Sequence, residues 1–222
     1  MKATLRIVVI VMVLCVTASV MATAQDAKKA AASEKPGKIE LFNGKDLTGW
    51  ELFTPDKNVD PKTIWSVQDG VLHCKGEPRG YCRTTKKYSD YKLTFQWRWP
   101  EKGGNSGLLM HISTPDKVWP RSIEGQLACN DAADFWVIDG TDFKEHTDKS
   151  DRRVLKKFPS NERPLGEWNT MIARCQGNTI WLWVNGLLQN KATETTVTEG
   201  YIGLQSEGTP IEFRNIILEP LK

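Results

Sequence analysis

Four side chains suited to acid–base work or ring recognition fall within one short stretch: His111, Trp119, Glu124 and Gln126. The stretch is Gly103–Gln126, GGNSGLLMHISTPDKVWPRSIEGQ. It opens with a glycine turn and predicts a strand over Ser106–Ile112 that ends near His111. A Pro-rich loop holding Trp119 follows, and then a second strand over Ser122–Cys129. In that second strand Ile123, Gly125 and Leu127 fall on one face, and Glu124, Gln126 and Ala128 on the other. A carboxylate and an amide therefore project the same way, approached by an imidazole and an indole. Such a group can read a polyhydroxylated ligand, and it contains a general base.

Other residues extend the set. In Tyr201-Ile202-Gly203-Leu204-Gln205 the amide of Gln205 shares a face with Tyr201 and Gly203. A glycine on that face leaves room for something to approach the backbone. Each candidate also has a plain structural reading. The polar face of the Glu124 strand is solvated, His111 is a hydrogen-bonded strand end, and Trp119 is a loop anchor. Asp131 and Asp134 follow closely enough to supply the second carboxylate of glycoside chemistry, or simply to make turns. Nucleophile elbow, phosphate loop and dinucleotide fingerprint are all missing from the sequence.

The elements that must position these residues are short strands. Tyr91–Trp99 alternates Leu93, Phe95, Trp97 and Trp99 with Lys92, Thr94, Gln96 and Arg98, so one face is buried and the other wet or ligand-facing. Asp69-Gly70 and Asn185-Gly186 are hairpin turns. Of the nine tryptophans, Trp65, Trp97, Trp168 and Trp181 are assigned to the core. Residues 139–163 read as a charged, irregular connection, long for a simple loop. No long amphipathic helix is evident. Short strands and turns at this spacing predict an all-β, two-sheet antiparallel sandwich of jelly-roll type.

Lys2 and Arg6, the apolar run Ile7–Val16 and Ala22-Thr23-Ala24 read as a secretory signal peptide over residues 1–24. Residues 25–38, rich in Ala and Lys, read as a flexible linker, and the domain is expected over 39–222. This organisation predicts a secreted or periplasmic protein with no membrane attachment once the signal is cleaved. Lys2 and Arg6 also account for most of the net charge of +3. The remaining charges are nearly balanced and interspersed, so no nucleic-acid partner is expected. Outside the signal lie Cys74, Cys82, Cys129 and Cys175. The favoured pairing is Cys74–Cys82 across a hairpin turn at Lys75–Gly80, leaving Cys129–Cys175, with buried free thiols as the alternative. Their spacing does not suggest zinc.

Five segments then carry a resemblance: Leu41-Phe42-Asn43-Gly44-Lys45-Asp46-Leu47-Thr48-Gly49-Trp50, Asn105-Ser106-Gly107, Ile123-Glu124-Gly125-Gln126-Leu127, Gly166-Glu167-Trp168-Asn169 and Phe213-Arg214-Asn215-Ile216. Together they resemble the 3-keto-disaccharide hydrolase family, over essentially Ile39–Leu221. The resemblance implies a concanavalin-like or laminin-G-like jelly roll and a carbohydrate substrate, a glycoside already oxidised to a ketone at C3. It implies Glu124 as the base, His111 as acid or enolate donor, and Asn105, Gln126 and Gln205 as groups that orient the sugar. Trp119 would stack on the ring, and Arg214 occupies a motif position. Many members of the family carry Arg where this chain has His111. A divalent cation held by Glu124, His111 and loop carboxylates is compatible with this set, although the sequence demands no cofactor. Three other readings stay open: a non-catalytic carbohydrate-binding module, a two-carboxylate glycosidase, and a structural or adhesive domain. Aglycone, anomer and oligomeric state have no signature in the sequence.

Overall fold

The computed structural model of the chain describes residues 37–221. The signal peptide expected at 1–24, and all of the expected linker except its last two residues, lie outside the described residues.

Two antiparallel sheets make up the domain. The first is built around β6 (Tyr91–Arg98), flanked by β11 (Asn169–Gln176) and β15 (Ile211–Pro220). β12 (Thr179–Val184) and β13 (Leu187–Ala192) extend it on one side; β4 (Val71–Cys74) and β3 (Trp65–Gln68) extend it on the other, and β1 (Ile39–Glu40) also pairs with β15. The second sheet runs β10 (Arg153–Val154), β9 (Phe135–Ile138), β8 (Ser122–Gln126), β7 (Gly107–Ile112), β14 (Tyr201–Ser206), β5 (Gly80–Thr84) and β2 (Trp50–Phe53). The only helix among the described residues is one 3-10 turn at Pro61–Thr63.

The alternation in β6 is realised residue by residue. Tyr91, Leu93, Phe95 and Trp97 are fully buried, and the residues between them are half-exposed. In register, Met171, Ala173 and Cys175 of β11 line up beside them, followed by Ile180, Leu182 and Val184 of β12. From the second sheet Leu108, Met110, Ile123, Phe135 and Leu204 meet this layer. Gly125 belongs to the same inner face, since a Cβ there would stand 3.0 Å from Leu182. Both predicted hairpins use left-handed pairs, Asp69 and Gly70 at φ 51° and 76° and Asn185 and Gly186 at φ 47° and 85°. These angles match the right-handed twist of the flanking strands.

Two expectations need correction, the cysteine hairpin and the core tryptophans. Cys74 and Cys82 are not two arms of one hairpin, because β4 and β5 belong to different sheets and the segment between them crosses over. All four cysteines are free thiols. Trp65 and Trp97 lie in the core, but Trp168 and Trp181 sit half-exposed on the first sheet. Arg98 and Arg214 stack on Trp168 at 4.6 and 4.1 Å, so guanidinium groups rather than core side chains cover its ring. Residues 139–163 are held by their own contacts and supply β10. His146 bridges Asp142 at 2.8 Å and the Asp151 carbonyl at 2.7 Å, and Lys157 N donates to Gln189 O.

β7, β8 and β5 are buried on both faces rather than alternately. Their inner face meets the first sheet. Their outer face is covered by connections, and the polar side chains gather there.

Candidate functional site

β7 and β8 pair in a register that sets Gly107 opposite Gln126 and Leu109 opposite Glu124. β14 flanks β7 on its other side and brings Gln205 to the same outer face. With Gly125 inside, Glu124 and Gln126 must point outward. They line a pocket of about 190 Å³, together with Asn105, Trp119 and Gln205. Five of the seven sequence-derived candidates thus meet in one place, from three separate chain segments.

Glu124 is 6% exposed, and its Oε1 is buried with no hydrogen-bond partner. Burial, reinforced by the nearby Glu207 carboxylate, pushes its pKa up to about 8; a hydrogen bond from Gln205 and the charge of Arg152 pull the other way. Gln205 Oε1, Asn105 Oδ1 and Trp136 Nε1 are likewise buried without partners. Burying such groups unpaired is costly, so their convergence on one cavity marks a surface awaiting a polar ligand. Gln126 is partly committed: its Oε1 accepts from Leu127 N at 2.8 Å and Ala128 N at 2.9 Å, which leaves its amide nitrogen for the pocket.

Besides Ile138, sequence reasoning missed four lining residues that carry charge or an indole. Glu207 follows β14 and is bridged to Asn105 through the backbone. Burial raises its pKa, opposed by Arg79 and by a hydrogen bond from Asn105. Arg79 and Arg152 bring two cations to the rim. Trp136 of β9 lines the pocket beneath Arg152, whose guanidinium lies 5.4 Å from its ring. In sequence Glu207-Gly208 reads as a turn, Arg79 lies within the expected turn at Lys75–Gly80, and Arg152 is one charge among many. None carries a local signal. Gly107 does carry one, in Asn105-Ser106-Gly107: a Cβ there would stand 2.2 Å from Glu124 Oε1 and 2.3 Å from Gln205 Oε1.

The other candidates are elsewhere. His111 is fully buried on the inner side of β7, with its ring edge-on to Tyr91 and Nδ1 3.2 Å from Val197 O. A bulge is responsible. Gly203 pairs with Leu109 and Tyr201 with Ile112, so β7 carries one extra residue between them, and His111 takes φ 57°. Burial lowers the pKa of this imidazole. The structure therefore does not bring His111 to Glu124, and the cation set of Glu124, His111 and loop carboxylates is not assembled. Among the described residues no three His, Cys, Asp or Glu side chains converge as metal ligands. Arg214 lies on the first sheet, donating to Gln96 Oε1 at 2.8 Å and stacked on Trp168. Asp134 is buried against Arg153 and accepts from Lys156 N, and Asp131 pairs with Arg153 and Lys156, so neither serves Glu124. The space expected at Gly203 is filled by Ile112, whose Cδ1 would stand 2.8 Å from an added Cβ.

Residues 37–219 match the model of the 3-keto-alpha-glucoside-1,2-lyase-like domain, and the chain belongs to this family. A 3-keto-disaccharide hydrolase from Bacteroides thetaiotaomicron is 24% identical, the match covering 83% of this chain and 79% of the relative. Among solved structures, a glycosyl hydrolase-like protein from Parabacteroides distasonis superposes with a TM-score of 0.64 at 22% identity, covering 84% of this chain and 94% of its own. A carbohydrate binding module from Bacillus subtilis reaches 0.58 at 12% identity, covering 77% and 95%. These likenesses support the jelly-roll fold and a carbohydrate-active hydrolase-like protein.

Proposed function

We propose that this member of the 3-keto-alpha-glucoside-1,2-lyase-like family cleaves 3-keto-glycosides, with Glu124 removing the proton at C2. The observation that carries the reading is the Glu124 carboxyl itself. Its Oε1 lies without a partner at the pocket wall, and its pKa is raised to about 8 in a cavity rich in unpartnered hydrogen-bonding atoms. A raised pKa makes a stronger base, which suits a carbon acid activated by an adjacent ketone.

Glu124 takes the C2 proton, and the C2–H electron pair forms an enolate onto the C3 oxygen. Collapse of the enolate restores the C3 ketone, forms the C1–C2 double bond and breaks the C1–O bond. The leaving oxygen takes a proton from water. Water then adds across the double bond, hydroxyl to C1 and hydrogen to C2, so the net result is hydrolysis. Arg79 and Arg152 are the cations available for the enolate charge. Trp119 and Trp136 offer ring faces to the sugar, and Asn105, Gln126 and Gln205 offer amides for its hydroxyls. We also propose export as the setting, from the signal-like residues 1–24.

A second reading has one specific observation behind it. Glu124 and Glu207 line the same cavity, as a two-carboxylate glycosidase would require. Turnover of matched 3-keto-glucosides and unoxidised glucosides separates the two. Cleavage confined to the keto compounds and lost in Glu124→Gln supports the proposal. Cleavage of ordinary glucosides supports the glycosidase, and sugar binding without cleavage reduces the domain to a binding module.

A further inference from the structure

The connection between β7 and β8, residues 113–121, is not draped loosely over the second sheet. It reaches across β14 to β5, the strand beyond. There Asp116 accepts from Arg83 Nε and Nη2, both at 3.0 Å, and from the Tyr81 hydroxyl at 2.6 Å. Arg83 is itself held, by Glu51 at 2.6 Å and over the Tyr201 ring at 4.2 Å. The Tyr81 ring stacks on Phe53 at 5.1 Å and belongs to the outer apolar cluster with Leu109, Ile112 and Ile138, against which Trp119 packs. At its far end the connection is tied by Ser113 N to Arg121 O and by Ser122 Oγ to Pro120 O.

The two ends of the outer face consequently differ. Glu124, Gln126 and Gln205 line the pocket at one end; the strap ties down at the Tyr201 and Ile112 end, and Trp119 both packs on that apolar cluster and lines the pocket. A cavity of about 190 Å³ is smaller than the roughly 300–1,000 Å³ of drug-sized ligand sites. It suits a single sugar ring.

We propose that Asp116 is a positioning residue for this site: its bonds to Arg83 and Tyr81 hold the 113–121 strap, and with it Trp119, so that the site is blind at one end and takes only the terminal ring of a glycoside. This rests on the keto-glycoside reading for its substrate, but the strap itself can be tested without turnover. A charged pair locks the strap more firmly than the Tyr81 hydroxyl alone would, and a bidentate guanidinium fixes its direction. Trp119 is the strap residue that lines the pocket, and Asp116 acts through it.

The test uses Asp116→Ala, the milder Tyr81→Phe, which keeps the ring but loses one bond to Asp116, Trp119→Ala, and the Asp116→Ala/Trp119→Ala double variant. Amide hydrogen exchange of residues 113–121 is followed first. It should quicken in Asp116→Ala and, to a smaller degree, in Tyr81→Phe, while the β6 and β11 amides stay protected. Affinity for a disaccharide with the 3-keto group on its terminal ring, and for a trisaccharide with it on the middle ring, is then measured by calorimetry, with Glu124→Gln in every protein to prevent turnover. Asp116→Ala should weaken disaccharide binding about tenfold and narrow the gap to the trisaccharide, and the double variant should be no worse than Trp119→Ala, because coupled residues are not additive. Unchanged exchange in the strap, additive losses, or an unaltered length preference would overturn the proposal. Absence of keto-glycoside binding in every protein would instead sink the substrate reading, with the exchange result still deciding whether Asp116 holds the strap.

Discussion

The α-carbon of Gly107 and the carboxylate of Glu124 approach so closely that a Cβ on residue 107 would stand 2.2 Å from Glu124 Oε1. Nothing larger than hydrogen fits there while Glu124 and Gln205 keep their places. The backbone of one strand thus forms the seat for the acid–base residue of the next, and the seat can be altered without touching the carboxylate.

Gly107→Ala should therefore displace Glu124 and Gln205 while leaving the two-sheet core intact. A misplacement of about 1 Å in a reacting group can cost on the order of 10²-fold in rate. We expect a loss of that size in kcat on a 3-keto-glucoside, with far-ultraviolet circular dichroism and cooperative melting retained. A fully active Gly107→Ala enzyme would show that the Glu124 geometry is not critical.

Burial and Glu207 hold the Glu124 pKa near 8, and only the deprotonated form can act as a base. kcat/KM should accordingly rise with pH and reach half its plateau near that value in the free enzyme. Glu207→Gln removes a like charge and should move the midpoint to lower pH; Arg152→Gln removes an opposite charge and should move it up. A profile that is flat from pH 6 to 9, or one that falls across it, would contradict the assignment.

The same shift has a consequence for stability. The Glu124 pKa is raised above its ordinary value of 4.5, so between that pH and about 8 the folded protein holds a proton that the unfolded chain has released. Stability from this group is fully present below pH 4.5 and lost as pH rises through 8. Glu124→Gln cannot ionise, so its melting temperature should exceed that of the parent protein by a margin that widens from pH 5 to pH 9. Equal margins at both ends would mean the carboxyl is not strained by burial.

The thiols make a separate prediction. Burial lifts Cys74 to about 11 and Cys175 to about 12, and Cys82 well above the ordinary thiol value, while Cys129 is only partly covered. Among the described cysteines, alkylation of the native protein should mark Cys129 alone, and a reducing agent should leave the melting temperature unchanged. A drop in melting temperature on reduction would reveal a disulfide.

Local patterning carried much of the architecture. Alternation marked β6 and the outward pair Glu124 and Gln126, and the Asp69-Gly70 and Asn185-Gly186 turns were legible because left-handed backbone selects those residues. What failed was information that lives between segments. A single extra residue in β7 turns His111 from the pocket to the core, and no periodicity in GLLMHI announces it. Glu207 lies far along the chain from Glu124 and joins it only because β14 pairs with β7. Cys74 and Cys82 bracket a turn-like segment that crosses between sheets, and Trp168 is covered by two arginines from other strands. The family resemblance pointed to Asn105, Glu124 and Gln126, but Arg214, also in a motif, serves the opposite sheet.

The most direct test of proton abstraction by Glu124 is exchange at C2. A 3-keto-glucoside is incubated in D2O with the enzyme and with Glu124→Gln, and the C2 position of substrate and product is followed by NMR. The enzyme should place deuterium at C2 as the C1 bond is cleaved, and Glu124→Gln should lose both exchange and cleavage by about 10³-fold. Cleavage that leaves the C2 hydrogen in place, or full exchange in Glu124→Gln, would contradict it.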